Sequence, residues 1–283
     1  MIYFSHIPKT AGTTLRSFIS QFFPEDRIFS AQLWNELENP EMTDWSKYDF
    51  VSGHFGHALT TYLPDNTKTI TMLRDPIQRT VSQYNHVVSD RYFEHKIGKR
   101  RIKDIGNGDM NLMLQDAECA DYFSNIQLKF IALSCKPVER GMVSFGNWEE
   151  TIINNSKAQL LDLALNRVSK YYFLGIQEFF EQSYLLLSYK EGFHPYFDGE
   201  RRMVMEKKLQ FNSIKDELLE KLYEINDLDL KLYSYSVEIF KKDYNNMCEK
   251  ICSSLGVSIP DFSDTASIKD LLVKYQKINK NIQ

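Results

Sequence analysis

No run of apolar residues in this chain approaches the ~20 that a bilayer-spanning helix needs. The nearest candidates, Tyr184-Leu185-Leu186-Leu187 and the stretch from Ile225 to Ile239, are too short or too polar. A secretory leader is not expected either, because Met1 runs directly into Ile2-Tyr3-Phe4-Ser5 with no charged start and no small-residue cleavage site. Cysteine is scarce: four in 283 residues make no disulfide framework. Cys248 and Cys252 lie four apart on an expected helix with no nearby histidine, so buried small side chains are expected there rather than a zinc site. These features together predict a reducing, cytoplasmic setting and no integral membrane segment. Positive charge is not in excess, and a net charge of −4 argues against a general nucleic-acid partner held by phosphate attraction.

What is present is ordinary globular material, with 43% hydrophobic and 25% charged residues, so disorder is not the default. Aromatic residues, at 13%, predict thick packing between helices and sheet. Short apolar runs at Ile2–Ser5, Tyr48–Gly53, Lys68–Leu73 and Tyr171–Leu174 read as buried strands. Between and after them come helical patterns: from Thr13 to about Phe22, from Pro76 through Val88, Asp121–Leu133, Trp148–Val168 and an amphipathic Phe179–Tyr189. Another starts near Ile214 with Leu218, Leu222 and Ile225, and a further one, capped by Asp227, carries Leu230, Tyr233, Val237 and Phe240. Strands alternating with helices predict an α/β fold around a central, mainly parallel sheet, three-layered, with a helix-rich C-terminal half. The expected organisation is one domain over residues 1–250, with 90–165 variable and facing substrate, and a C-terminal extension over 251–283. In such a sheet ligands gather outside the carboxyl ends of the strands.

Three of those strand ends carry polar groups. After the first comes His6-Ile7-Pro8-Lys9-Thr10-Ala11-Gly12-Thr13-Thr14. A strand, a tight loop with Lys, Gly and hydroxyl residues, then a helix start is the anatomy of a phosphate cradle, built from exposed N–H groups, the helix dipole and a point charge. The plain alternative is a turn with a solvated lysine. The Lys precedes the Gly, so this is not the Walker A order. After the second strand come His54 and, three residues later, His57, either of which could take a proton near neutral pH. After the third, Arg74-Asp75-Pro76-x-x-Arg79-x-x-Ser82 offers a guanidinium fork just before a helix and a hydroxyl on that helix, suited to a second phosphate. An Arg74–Asp75 salt bridge is the competing reading. Neither His54 nor His57 has a metal-ligand partner at a persuasive spacing.

The loop from His6 to Thr14 resembles the 5′-phosphosulfate loop of the sulfotransferases, in particular the branch that includes heparan sulfate 2-O- and 6-O-sulfotransferases and bacterial relatives. It is less similar to the cytosolic small-molecule branch. Arg74-Asp75-Pro76 through Ser82-x-Tyr84 resembles the family's 3′-phosphate segment, and Gly53-His54-Phe55 stands where that branch often has its catalytic histidine. Phe173-Leu174-Gly175-Ile176-Gln177-Glu178-Phe179 and Asp227 to Tyr233 are similar to its later segments.

The resemblance implies a P-loop-like fold. It also implies transfer of a sulfuryl group from 3′-phosphoadenosine 5′-phosphosulfate (PAPS) to an acceptor hydroxyl, leaving adenosine 3′,5′-bisphosphate (PAP), with no metal. Lys9, Thr10, Ala11, Gly12, Thr13 and Thr14 would hold the 5′ end, Arg74 and Ser82 the 3′-phosphate, and His54 would be the base, with Lys9 beside the leaving oxygen. The acceptor is expected to be a glycan. The alternatives are an acyl chain on a carrier protein, another small-molecule hydroxyl, a P-loop kinase, or a non-catalytic nucleotide-binding relative. The run containing Arg91, Lys96, Lys99, Arg100, Arg101 and Lys103 would attract an anionic acceptor or is simply a solvated loop, and His57 with Arg91, Lys99, Arg100 and Arg101 are the candidate acceptor contacts.

Overall fold

Four short strands, every residue of β1, β2 and the last of the four buried, form a parallel sheet in a computed structural model that describes residues 1–37, 39–89, 96–97, 100–134, 155–196, 209–210 and 214–280. The strands are β1 (Ile2–Ser5), β2 (Phe50–Gly53), β3 (Lys68–Leu73) and, at the far edge, Phe173–Ile176. Burial on both faces explains why they read as continuous apolar runs rather than alternating ones. β1 lies between β2 and β3, with Ser5 opposite Gly53 on one side and Thr71 on the other. The edge strand pairs with β3, Leu73 opposite Ile176, so the carboxyl ends of the strands line one rim of the sheet.

The chain leaves β1 through α1 (Gly12–Ser20) toward β2, but leaves β3 through α2 (Pro76–Val87) toward the opposite edge. Neighbouring strands whose exits diverge open a crevice between them, and here it falls between β1 and β3. Asp75 caps α2, its carboxylate accepting from the Gln78 amide at 2.8 Å, with Pro76 in the first turn. The irregular stretch before β2 is anchored by aromatics: Trp34 Nε1 donates to the Phe55 carbonyl and Trp45 Nε1 to that of Pro40.

After α2, two-residue strands β4 (Lys96–Ile97) and β5 (Arg100–Arg101) pair antiparallel, followed by the short helices α3 (Met110–Met113), α4 (Ala117–Phe123) and α5 (Ile126–Ala132). The single helix expected over 121–133 is two, broken at Asn125, which is left-handed at φ 45°. The break has a cause 100 residues away. Asn125 Oδ1 accepts from the amides of Leu228 and Asp229, and its own amide donates to Asn226 Oδ1. Next come α6 (Lys157–Val168), opened by a Ser156–Gln159 capping box, the edge strand β6 (Phe173–Ile176) and α7 (Phe180–Glu191). Residues 148–154 of the helix expected before Val168 lie outside the described residues. The strand expected at Tyr171–Leu174 begins two residues later, at Phe173.

Instead of being amphipathic, α7 is buried continuously from Ser183 to Ser188, because β6 and two later helices cover it. Those are α9 (Asp227–Leu255), which follows α8 (Asp216–Ile225), and α10 (Thr265–Lys280). Gln276 of α10 donates to the carbonyls of Ser188 and Phe193, and Ile268 and Leu272 join the main core. A second, smaller core gathers Ile77, Val81 and Tyr84 of α2 with Cys119, Phe123, Leu218 and Leu222. Cys119, Cys248 and Cys252 are free and buried, and no described helix is long and apolar enough to cross a membrane.

Candidate active site

The loop between β1 and α1 is curled by two left-handed residues that are not glycine, Lys9 at φ 70° and Ala11 at φ 62°. The Ala11 carbonyl starts the helix by accepting from Thr14 and Leu15. Among the described residues, the amides of Lys9, Thr10, Ala11, Gly12 and Thr13 make no backbone hydrogen bond, which leaves five donors at a helix N-terminus. Thr10 contributes its amide alone, because its hydroxyl braces the turn by donating to the Ile7 carbonyl at 2.8 Å. Thr13 is exposed and Thr14 buried.

Gly12 is required here for space. A Cβ on it would overlap the His6 ring at Cδ2 and Nε2. The buried His6 ring is stacked on Phe4 on one side and inclined against His54 on the other, ring centres 4.4 Å apart. Burial, with the charges of His54, Arg16 and Lys9 behind it, holds His6 well below the usual imidazole range, so it stays neutral.

His54 follows β2, and its amide is fixed by the Gln32 carbonyl at 2.7 Å. Its Nδ1 lies 2.6 Å from the His6 carbonyl oxygen. A carbonyl can only accept, so Nδ1 carries the hydrogen and the neutral ring presents Nε2 as a free lone pair. Burial lowers the His54 pKa, partly opposed by that bond, so the base form prevails at neutral pH. His57 is placed differently. Its Nδ1 is 3.1 Å from the Tyr171 hydroxyl, the two rings stack, and burial with the nearby Arg167 pushes it down to about 4.

Across the crevice, Arg74 Nη1 donates to the Lys9 carbonyl at 3.2 Å, which ties the end of β3 to the loop after β1. Its Nε is buried without a partner. One turn into α2, Arg79 is wholly buried; its Nη2 reaches Thr80 Oγ1 while Nε and Nη1 have no partner. Burial, then Arg74 and Arg79, draws the Lys9 amine down to about 8. Arg79 itself is lowered to about 10 by burial, against the opposing pull of Asp229 and Tyr122. Lys9 and Arg74 thus meet at the crevice, with Arg79 buried behind them and guanidinium N–H groups unpaired, an arrangement that a polyanion would complete. Ser82 is half-buried on the same helix. Arg16, on α1, donates through Nε to Ser52 Oγ at 2.7 Å.

Residues 1–236 match the family model described as Sulfotransferase family. The chain belongs to the sulfotransferase family. It is similar to heparan-sulfate 6-O-sulfotransferase 3 of Mus musculus, 25% identical over 227 residues, which cover 75% of this chain and 45% of that protein. The protein of the same name from Homo sapiens is 23% identical over the same coverage. The chain therefore spans less than half the length of the curated relatives it matches.

In this sulfotransferase-family chain the structure brings Lys9, the loop amides, His54 and Arg74 to one rim of the sheet. The donor that the family implies carries a phosphosulfate at one end and a phosphate at the other. The cradle of free amides and the unpartnered Arg74 and Arg79 nitrogens fit such a molecule. Of the basic run, Arg100 is paired with Asp116 and Glu118 and Arg101 with Asp104, while Arg91 and Lys99 lie outside the described residues. Sequence reasoning gave no role to His6 or Arg16, and none of its own to Arg79, although all three stand inside or next to the quoted motifs. A charged residue at full burial carries no local signal that separates it from a surface arginine.

Proposed function

We propose that the protein is a PAPS-dependent sulfotransferase that transfers a sulfuryl group to an acceptor hydroxyl, with His54 as general base. The observation that carries this reading is the meeting of Arg74 with the Lys9 carbonyl at the β1/β3 crevice, beside five free amides. Lys9 and those amides hold the phosphosulfate end, in the manner of a P-loop. Arg74 and Ser82 hold the 3′-phosphate. When bound, the donor supplies an activated sulfuryl group on a phosphate leaving group. Positioning and charge stabilisation then do most of the work in a loose, in-line displacement. The positive charge of Lys9 faces the leaving oxygen, and His54 Nε2 takes the acceptor proton while its Nδ1–H stays on the His6 carbonyl.

The acceptor class we favour is carbohydrate, supported by the names of the matched relatives. His57 and the Arg91, Lys99, Arg100 and Arg101 run are its proposed contacts. Two measurements test the reading. Calorimetric titration should show PAP binding more tightly than AMP, and labelled sulfate from PAPS should appear on polysaccharide acceptors rather than on carrier-bound hydroxyacyl chains. Equal affinity for PAP and AMP would overturn the donor assignment; transfer to acyl chains alone would overturn the acceptor class.

A further inference from the structure

The segment between α2 and α6 carries no motif, yet it holds a side chain that grips both the amide and the carbonyl of Arg74. Gln127, on α5, is wholly buried. Its Oε1 accepts from the Arg74 amide at 2.9 Å and its Nε2 donates to the Arg74 carbonyl at 2.8 Å. A primary amide used this way imitates a neighbouring strand, and it continues the β3 ladder one residue past the end of the sheet.

Gln127 is itself held from behind. The buried Asp229 carboxylate accepts from the Gln127 amide at 3.1 Å and the Leu128 amide at 2.7 Å. Asp229 is the third residue of α9, and its position is fixed in turn by Asn125 Oδ1 on its amide. On the far side of Arg74, Glu178 Oε1 accepts from the Asp75 amide at 3.0 Å, and Glu178 Oε2 accepts from the Tyr233 hydroxyl at 2.9 Å. Both late segments singled out in the sequence, around Glu178 and from Asp227 to Tyr233, therefore converge on two consecutive peptide groups. Those groups aim the Arg74 guanidinium at the Lys9 carbonyl and the crevice.

We infer that Gln127 is a positioning residue that sets the preference for a 3′-phosphorylated nucleotide, by fixing the peptide from which the Arg74 guanidinium departs. It touches no ligand. Its effect passes through the direction of the Arg74 side chain, so it should change recognition of the 3′-phosphate and leave the 5′ end, held by the Lys9 loop, unaffected. This inference rests on the donor assignment above.

The test compares PAP and AMP by calorimetric titration of the full chain, as wild type, as Gln127→Leu and as Gln127→Glu. Leu removes both bonds at similar volume. Glu keeps the acceptor for the Arg74 amide and loses only the donor, so it carries the test if the Leu variant does not fold. The expected result is about a tenfold loss of PAP affinity for Leu and about a threefold loss for Glu, with AMP affinity within about twofold of wild type. PAP and AMP weakening by the same factor, or neither changing in a folded variant, would overturn the inference and leave the donor assignment standing. A wild-type protein that does not distinguish PAP from AMP would overturn the donor assignment, and the inference with it.

Discussion

The His54 ring and the His6 carbonyl share one proton-bearing contact of 2.6 Å, and that contact alone decides which nitrogen of His54 faces outward. Because burial lowers the His54 pKa, the ring is already neutral at neutral pH. The reactive form of a base is the deprotonated one, so kcat/KM should stay level through neutral pH. It should fall on the acid side with an apparent pKa below the ordinary imidazole value of about 6.5. His54→Gln should lower kcat by roughly 10²–10⁴, with PAP affinity unchanged by titration. Wild-type turnover in that variant would remove His54 as the base.

Lys9 offers a proton-linked test of the donor cradle. In the free protein its amine titrates at about 8, lowered first by burial and then by Arg74 and Arg79. A bound polyanion favours the charged amine and raises that pKa. Binding near pH 8 should therefore take up a fraction of a proton, seen as a dependence of the calorimetric heat on buffer ionisation enthalpy. Above pH 8 the PAP affinity should fall, by at most about tenfold per pH unit. Lys9→Met should abolish the uptake. An uptake that persists in that variant would place the titrating group elsewhere.

His57 links stability to acid. Its folded pKa, about 4, is depressed below the ordinary value by burial and by Arg167. For a depressed pKa the unfolded chain binds the extra proton. The contribution is then fully present above pH ~6.5 and is lost as pH falls toward the folded value, an order-of-magnitude total of about 3 kcal/mol. Urea midpoints measured from pH 7 to pH 4 should fall steeply in the wild type and less steeply in His57→Asn. Equal slopes would show that His57 is not buried as described.

Gly12 links the loop after β1 to His54, the proposed base, through the His6 ring. An added methyl would overlap His6 Cδ2, and the His6 ring lies between Phe4 and His54, the latter 4.4 Å away between ring centres, so its displacement disturbs the neighbours it is packed against. Gly12→Ala should cost about 1–3 kcal/mol of stability and lower kcat together with PAP affinity, where His54→Gln lowers kcat alone. Adding His6→Ala to Gly12→Ala should recover part of the stability. No recovery would mean that the strain lies in the loop backbone and not in the ring contact.

Much of this architecture could be read locally. β1 and β3 fall where their apolar runs put them, and Asp75-Pro76 announces the start of α2, since each signal is contained within a few residues. The strand-end rule also places Lys9, His54 and Arg74 on one rim from the sequence alone. Where reading failed, the deciding contact was remote. The break at Asn125 depends on Asn226 and Asp229, and the full burial of α7 depends on α9 and α10 arriving later in the chain. Arg79 and Gln127 are likewise invisible in the sequence, because a buried polar side chain is recognised by its partners and not by its spacing.

The order of the chain has a consequence for how the site comes into being. The charged groups of the crevice lie within the first 82 residues, but the peptides that orient Arg74 are held by Gln127, Glu178, Asp229 and Tyr233. Lys9 and Arg74 therefore precede in the chain every side chain that holds the Arg74 and Asp75 peptides. The contacts that fix the Arg74 peptides are complete only once α9 is in place. A donor molecule captured at that moment would stabilise the docked helix along with the loop, making the nucleotide a late participant in folding as well as a reactant.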